Sequence, residues 1–202
     1  MGKLRSAALI LGEGPTEFYY FKSLSGLFKG LTIKPDYPKH TNIKELEAKI
    51  VEGINLGYNH IFCIIDMDTK DREPEQSQYE RLKKKYSQPI HKPKKGIHCK
   101  VEFFETHRCT ELFFLYYFRY TSRMYTDQES LLNDLNQSVE YNKTKEFFTK
   151  CKGLHSYFER NGGSFESAIE NANQSMNEKM SSGRDYTYSD LGRLMEELKK
   201  LN

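Results

Sequence analysis

Apolar residues along this chain follow two periods, one of strands and one of helices. "SAALIL" is a short unbroken run that predicts a buried strand over residues 7–11, stopped by Gly12. Pro15 suits the first turn of a helix, where its missing N–H leaves no bond unmade. The helix continues through "TEFYYFKSLSGLF", with Phe18, Phe21, Leu24 and Leu27 or Phe28 at helical spacing. "LTIKPDY" is a weaker strand pattern. "TNIKELEAKIVEGINLG" predicts a helix capped by Thr41 or Asn42, striped by Ile43, Leu46, Ile50 and Ile54, and closed by Gly57.

The next apolar run, residues 61–65 of "HIFCIIDMDTKD", has no polar face and reads as a central strand buried on both sides, as parallel strands are. It ends at Asp66. A charged helix over residues 74–88, a strand over 101–105 ("VEFFE") and an aromatic-rich helix over 109–120 follow. This strand–helix alternation predicts an α/β fold: a mostly parallel sheet flanked by helices, occupying residues 1–120. Residues 121–202 show no clear strand pattern and read as a helical C-terminal extension packed on the same domain. Their last segment, "YTYSDLGRLMEELKKL", is amphipathic.

Composition changes this picture little. Of 202 residues, 37% are hydrophobic and 29% charged, but 14 Tyr and 13 Phe supply the bulk a core needs. The formal net charge of +3 is too near neutral to identify a partner, so the placement of charge matters more than its sum. Cys63, Cys99, Cys109 and Cys151 have no paired spacing and read as reduced thiols. No stretch approaches the roughly 18 apolar residues of a membrane span, and the first apolar run is too short for a signal peptide. A cytoplasmic protein is expected.

The candidate chemistry is acidic. Glu13 follows the first predicted strand, Glu17 stands one helical turn further on, and Asp66 and Asp68 follow the central strand. Open parallel sheets form their sites outside the carboxyl ends of the strands. Carboxylates gathered there would repel, and a divalent cation relieves that repulsion. Oxygen-only ligands favour Mg²⁺ or Mn²⁺ over Zn²⁺. Such an ion polarises a phosphoryl oxygen, with Glu13 as ligand or general base. The same acids also suit helix caps and solvated turns. Glu111, at the start of an apolar helix, is either favoured there by the helix dipole or a further ligand.

Basic residues concentrate in "RLKKKYSQPIHKPKKGIHCK", where Lys83, Lys84, Lys85, Lys92, Lys94 and Lys95 suit nucleic-acid phosphates or a solvated helix end and loop. His107 and Arg108 are further candidate phosphate contacts, and Tyr141, Lys143 and Lys145 suit either that role or an exposed helix start. His98, Cys99, His107 and Cys109 lack the spacing of a zinc site. "GEGPTE" lacks the Gly-Lys-Ser/Thr of a P-loop. "IIDMDT" superficially resembles a haloacid-dehalogenase phosphatase, but Lys70 stands where that pattern carries Thr, and the motif lies on a late strand. "YYF" and "FFLYYF" suit either a core or an interface, which leaves a homodimer open.

An acid after the first strand followed by Asp-x-Asp after a later one resembles the Toprim domain of primases, type II topoisomerases and overcoming-lysogenization-defect nucleases. The likeness narrows to RloB-like proteins, found near bacterial restriction-modification and abortive-infection loci. Their "EGpTE" is matched by Glu13, Gly14, Thr16 and Glu17, and their apolar run with Asp-x-Asp by "CIIDMD". Their "CFELWLLLHF" is matched by "CTELFFLYYF", which retains Glu111, and their closing helices resemble "SAIENA" and "YSDLGRLMEELKKL". Thr110 and Phe113 stand where Phe and Trp are common. The resemblance implies a Mg²⁺-dependent nuclease in anti-phage defence. Glu13, Asp66 and Asp68 would be catalytic, Glu17 and Glu111 would support the metal, and the partners would be DNA or RNA and an ATPase protein of the same locus. The alternative is a module that holds an ion and senses nucleic acid or a partner without turnover.

Overall fold

The structure is a computed structural model and describes residues 6–40 and 42–202. Thr41, one of the two expected cap residues, lies outside the described residues. The chain forms an α/β fold in two compact units. The first comprises the described residues up to Ile64, with Thr69–Phe103 and Glu197–Asn202. The second comprises Ile65–Asp68 and Phe104–Glu196.

In the first unit the sheet order is β2-β1-β3-β5-β4. β1 (Ser6–Leu11) lies parallel to β2 (Leu31–Asp36) and to β3 (His60–Asp66), with Leu11 opposite both Asp36 and Cys63. Residues 61–65 of β3 are buried throughout, as a strand covered on both faces requires. β2 is an edge strand, which is why it tolerates Pro35 in mid-strand. α1 (Pro15–Leu24), α2 (Ile43–Asn55) and α3 (Glu75–Lys85) flank the sheet. Asn42 caps α2 by accepting the Glu45 N–H, and Ile43, Leu46, Ile50 and Ile54 are buried as their spacing predicted. α1 is shorter than expected. After Leu24 the chain turns, so Leu27 is exposed while Phe28 reaches the core.

The basic stretch after α3 is not a loop. It folds into β4 (Ile90–Lys92), a single 3₁₀ turn (Pro93–Lys95) and the start of β5 (Ile97–His107), with β4 and β5 antiparallel. Ile97, Cys99 and Val101 face inward, while His98 and Lys100 face solvent. The charged half of this alternation masks its period in the sequence. β5 therefore begins four residues before the expected strand.

The second unit contains α4 (Glu111–Tyr116), α5 (Gln128–Asn136), α6 (Lys145–Lys150), α7 (Leu154–Arg160), α8 (Phe165–Ser182), the two-residue β6 (Tyr188–Ser189) and most of α9 (Leu191–Leu201). α4 stops early because later side chains and backbone take up its last carbonyls: Asn171 Nδ2 donates to Tyr116 O, and the Ser164 N–H to Tyr117 O. Its aromatic residues are core. Phe114 and Tyr117 pack on Phe158 at ring-centroid distances of 5.0 and 5.2 Å. The irregular chain before α5 is pinned by Asp134, which accepts from Tyr125 Oη at 2.7 Å and pairs with Arg119 and Arg123 at 3.2 Å each. β6 pairs with Thr106 and His107 of β5, and two residues are too few for a period to show in sequence. Among the described residues no helix is long and apolar enough to cross a membrane.

Gly192 lets α9 approach α8 closely. A Cβ there would stand 2.9 Å from the Ile169 carbonyl oxygen and 2.4 Å from Asn173 Oδ1. Gly192→Ala should therefore lower stability by about 1–3 kcal/mol through overpacking, although alanine is the better helix former by about 1 kcal/mol. Thermal unfolding followed by circular dichroism reads this as a fall of several degrees. An unchanged or raised midpoint would refute the close approach.

Candidate functional site

In the first unit, β1 delivers the chain to Gly12, whose N–H donates to Asp36 O at 3.0 Å. No side chain fits there, because a Cβ would stand 2.3 Å from Glu17 Cβ. Glu17 is 4% exposed and folds back so that Oε2 accepts the Gly14 N–H at 2.9 Å. With Pro15 at the first helical position, Glu17 thus caps its own helix. Glu13 pairs with Lys70, Nζ to Oε1 being 2.7 Å. Lys70 is only 5% exposed, and an ammonium so far from water needs an anionic partner. The residue that breaks the phosphatase pattern therefore neutralises the first candidate acid.

In the second unit, Asp66 ends β3 and its Oδ1 accepts both the backbone N–H and the hydroxyl of Thr110, at 3.0 and 3.2 Å. The carboxylate thereby caps the entry to α4. Thr110 supplies both donors, the second of them from its own side chain. Asp68 is exposed in the turn that follows. Glu111 has no solvent exposure, and its Oε1 receives Lys143 Nζ at 2.8 Å and Tyr141 Oη at 3.0 Å. Lys143 keeps 34% of its side chain exposed. Burial by itself lowers the Lys143 pKa, but the Glu111 carboxylate, with the charge of Asp66 adding to it, raises it above the ordinary value. Two residues read as separate candidates, an acid and a phosphate-binding lysine, are one ion pair beside Asp66.

The basic residues divide by partner. Lys83 pairs with Glu80 at 2.7 Å and lies 4.5 Å over the Tyr79 ring, while Lys85 pairs with Glu47. Lys84, Lys92, Lys94 and Lys95 enter no ion pair among the described residues, and all four are exposed. Arg108 is half-buried and donates from Nε to Tyr125 O at 2.9 Å. His107 is buried, its Nδ1 accepting the Thr187 N–H and its ring 5.9 Å from Tyr188. Both of these hydrogen bonds lie within the second unit. Lys145 is exposed at the start of α6.

The expected ion is a hard cation, and the carboxylates of Asp66, Asp68 and Glu111 are donors of that chemistry. Asp66 and Asp68 stand one residue apart, so their donor type and spacing suit such an ion. Among the described residues, however, no three His, Cys, Asp or Glu side chains come together to hold a metal ion. All four cysteines are buried and free. Burial pushes Cys99 up to about 11 and raises Cys109 well above the usual thiol range, the charges of Glu111 and Asp66 adding to the latter.

The Glu111–Lys143 pair is unequal in burial, so its two halves should respond unequally to mutation. Lys143→Met strands a fully buried carboxylate and should lower stability by about 3 kcal/mol. Glu111→Gln leaves a lysine that can turn to water and should lower it by about 1 kcal/mol. The raised folded pKa of Lys143 means that its contribution is complete below the unfolded value near ~10.4 and is lost as pH rises through the folded value. Urea unfolding from pH 7 to 11 should show the gap between wild type and Lys143→Met closing at the alkaline end. Equal losses for both variants at pH 7 would refute the asymmetry.

No curated protein and no solved structure matches this chain. A family model does match it, that of the RloB-like proteins, over residues 8–198. The match runs from β1 into α9 and takes in every acid described above. The chain belongs to the RloB-like protein family.

Proposed function

We propose that this chain is a metal-dependent nuclease acting in bacterial anti-phage defence. Asp66-Met67-Asp68 at the carboxyl end of a buried parallel strand, in a chain of the RloB-like family, is the observation that carries this reading. Asp66 and Asp68 offer oxygen ligands to Mg²⁺ or Mn²⁺, whose chemistry when bound is to polarise a phosphoryl oxygen. Thr110 holds the Asp66 carboxylate in one orientation. Lys143, kept charged by Glu111 and partly exposed, is suited to neutralise a phosphate. Glu13 is the further candidate ligand or general base, by resemblance to the family. The exposed lysines of the β4–β5 hairpin suit the nucleic-acid backbone, and an ATPase partner follows from the same resemblance.

A second reading has its own support. The pairing of Glu13 with Lys70 and of Glu111 with Lys143 gives two of the candidate acids structural partners, as a module that holds an ion at the remaining acids and senses nucleic acid or a partner without turnover would allow. One set of measurements separates the two. Mg²⁺ and Mn²⁺ are titrated calorimetrically into wild type and Asp66→Ala/Asp68→Ala, and the same preparations are incubated with labelled RNA and DNA. The nuclease reading expects metal-dependent cleavage, stopped by EDTA and reduced more than about a hundredfold in the variant. Metal binding without cleavage would favour the sensor. Neither binding nor cleavage would overturn the assignment of chemistry to the acids.

A further inference from the structure

Within the second unit, α6 and α7 border a cavity of about 310 Å³ that none of the roles above uses. This is near the lower end of small-ligand pockets, about 300–1,000 Å³. Its apolar wall includes Phe147 and Tyr157, whose rings meet edge-to-face at 5.5 Å and 87°. Tyr157 Oη donates to Glu140 O at 2.8 Å, which fixes that ring in place. Lys150, Lys152 and Arg160 also line the cavity, against the single acid Glu140. These three cations are exposed and enter no ion pair among the described residues. Arg160 is steadied by one bond, from Nη2 to Cys151 O at 2.9 Å.

Lys152 stands in an unfavourable backbone position. It follows the C-cap of α6 with φ +55°, in the left-handed region where helices usually end in glycine. A side chain held in that region persists only when the surroundings impose it, and such positions gather at ligand sites. The lysine places a cation on the cavity where glycine would relieve the backbone.

Resting on the reading of the chain as a protein that acts on nucleic acid, we propose that this cavity binds one phosphorylated nucleoside unit. Its base would pack on Phe147 and Tyr157, and its phosphate would be held by Lys150, Lys152 and Arg160. Aromatic surfaces take any base by its π-face, and an arginine–lysine set suits a phosphate dianion. Three cations against one carboxylate leave the lining with a surplus of two positive charges, matched to that ligand. The unit is either a free mononucleotide or a nucleotide exposed in a single strand.

Calorimetry on the full chain carrying Asp66→Ala, in EDTA, tests the site apart from any cleavage. The titrants are AMP, GMP, CMP and UMP, 5′-phosphorylated pentamers of RNA and DNA, phosphotyrosine and inorganic phosphate. At least one nucleotide or pentamer should bind, with phosphate alone and phosphotyrosine at least tenfold weaker. Lys152→Gly should weaken that binding about tenfold while leaving the thermal midpoint unchanged or raised. Phe147→Leu should weaken nucleotide binding but not phosphate binding. Preference for mononucleotides or for pentamers identifies the source of the unit. The proposal is overturned if no nucleotide or pentamer binds at millimolar concentration, if phosphate or phosphotyrosine binds equally well, or if Lys152→Gly leaves affinity intact. Binding without metal in a variant lacking Asp66 stands or falls separately from nuclease activity.

Discussion

A carboxylate taken wholly out of water must be given a cation or hydrogen-bond donors, and the second unit is organised around how Glu111 meets that demand. Its partners, Lys143 and Tyr141, come from the segment between α5 and α6. Holding them against Glu111 draws that segment onto α4. The Tyr141 ring then meets Phe114 at 5.7 Å and Phe147 at 5.6 Å, joining the polar pair to the aromatic core. One electrostatic requirement thus sets the course of a stretch that has no regular structure of its own. The first unit solves the same problem on a smaller scale, with Lys70 buried against Glu13.

These pairings alter how the acidic motifs are understood. Carboxylates at strand ends suggest a divalent cation because like charges repel, but lysines and helix N-termini relieve the same repulsion. Glu17 caps α1 and Asp66 caps the entry to α4, so each acid already has a structural task. An acid can serve a fold and a reaction together, and what distinguishes the roles is the ligand it meets. Net charge is equally uninformative by itself. The formal +3 covers lysines neutralised by Glu47, Glu80 and Glu111 as well as lysines with no ion pair among the described residues, on the β4–β5 hairpin and around the α6–α7 cavity. Only the latter have their charge fully available to a polyanion.

Where a local pattern was long and strong, the elements could be read directly. The stripe of α2 and the buried run of β3 each have enough consecutive residues for their period to stand out. β4 and β6 were not legible because three and two residues carry no period. The start of β5 was hidden for a different reason, its outward positions being charged strongly enough to suggest a solvated loop. α4 has an apolar pattern longer than its helix, because Asn171 and Ser164 claim the carbonyls on which another turn would have built.

The sequence by itself determined the α/β class, the parallel strands, the family and the identity of the acids. These rest on residue type and on spacing within one element, which the chain carries locally. Tertiary structure alone decided what each charge faces. Asp66 and Thr110 are 44 residues apart, and Glu111 lies on α4 while Lys143 lies in the segment between α5 and α6. Whether a carboxylate is a cap, a buried ion-pair partner or an exposed turn residue depends on burial and on a partner brought from elsewhere in the chain. No local spacing encodes either, because the energy of a charge is set by its surroundings in space.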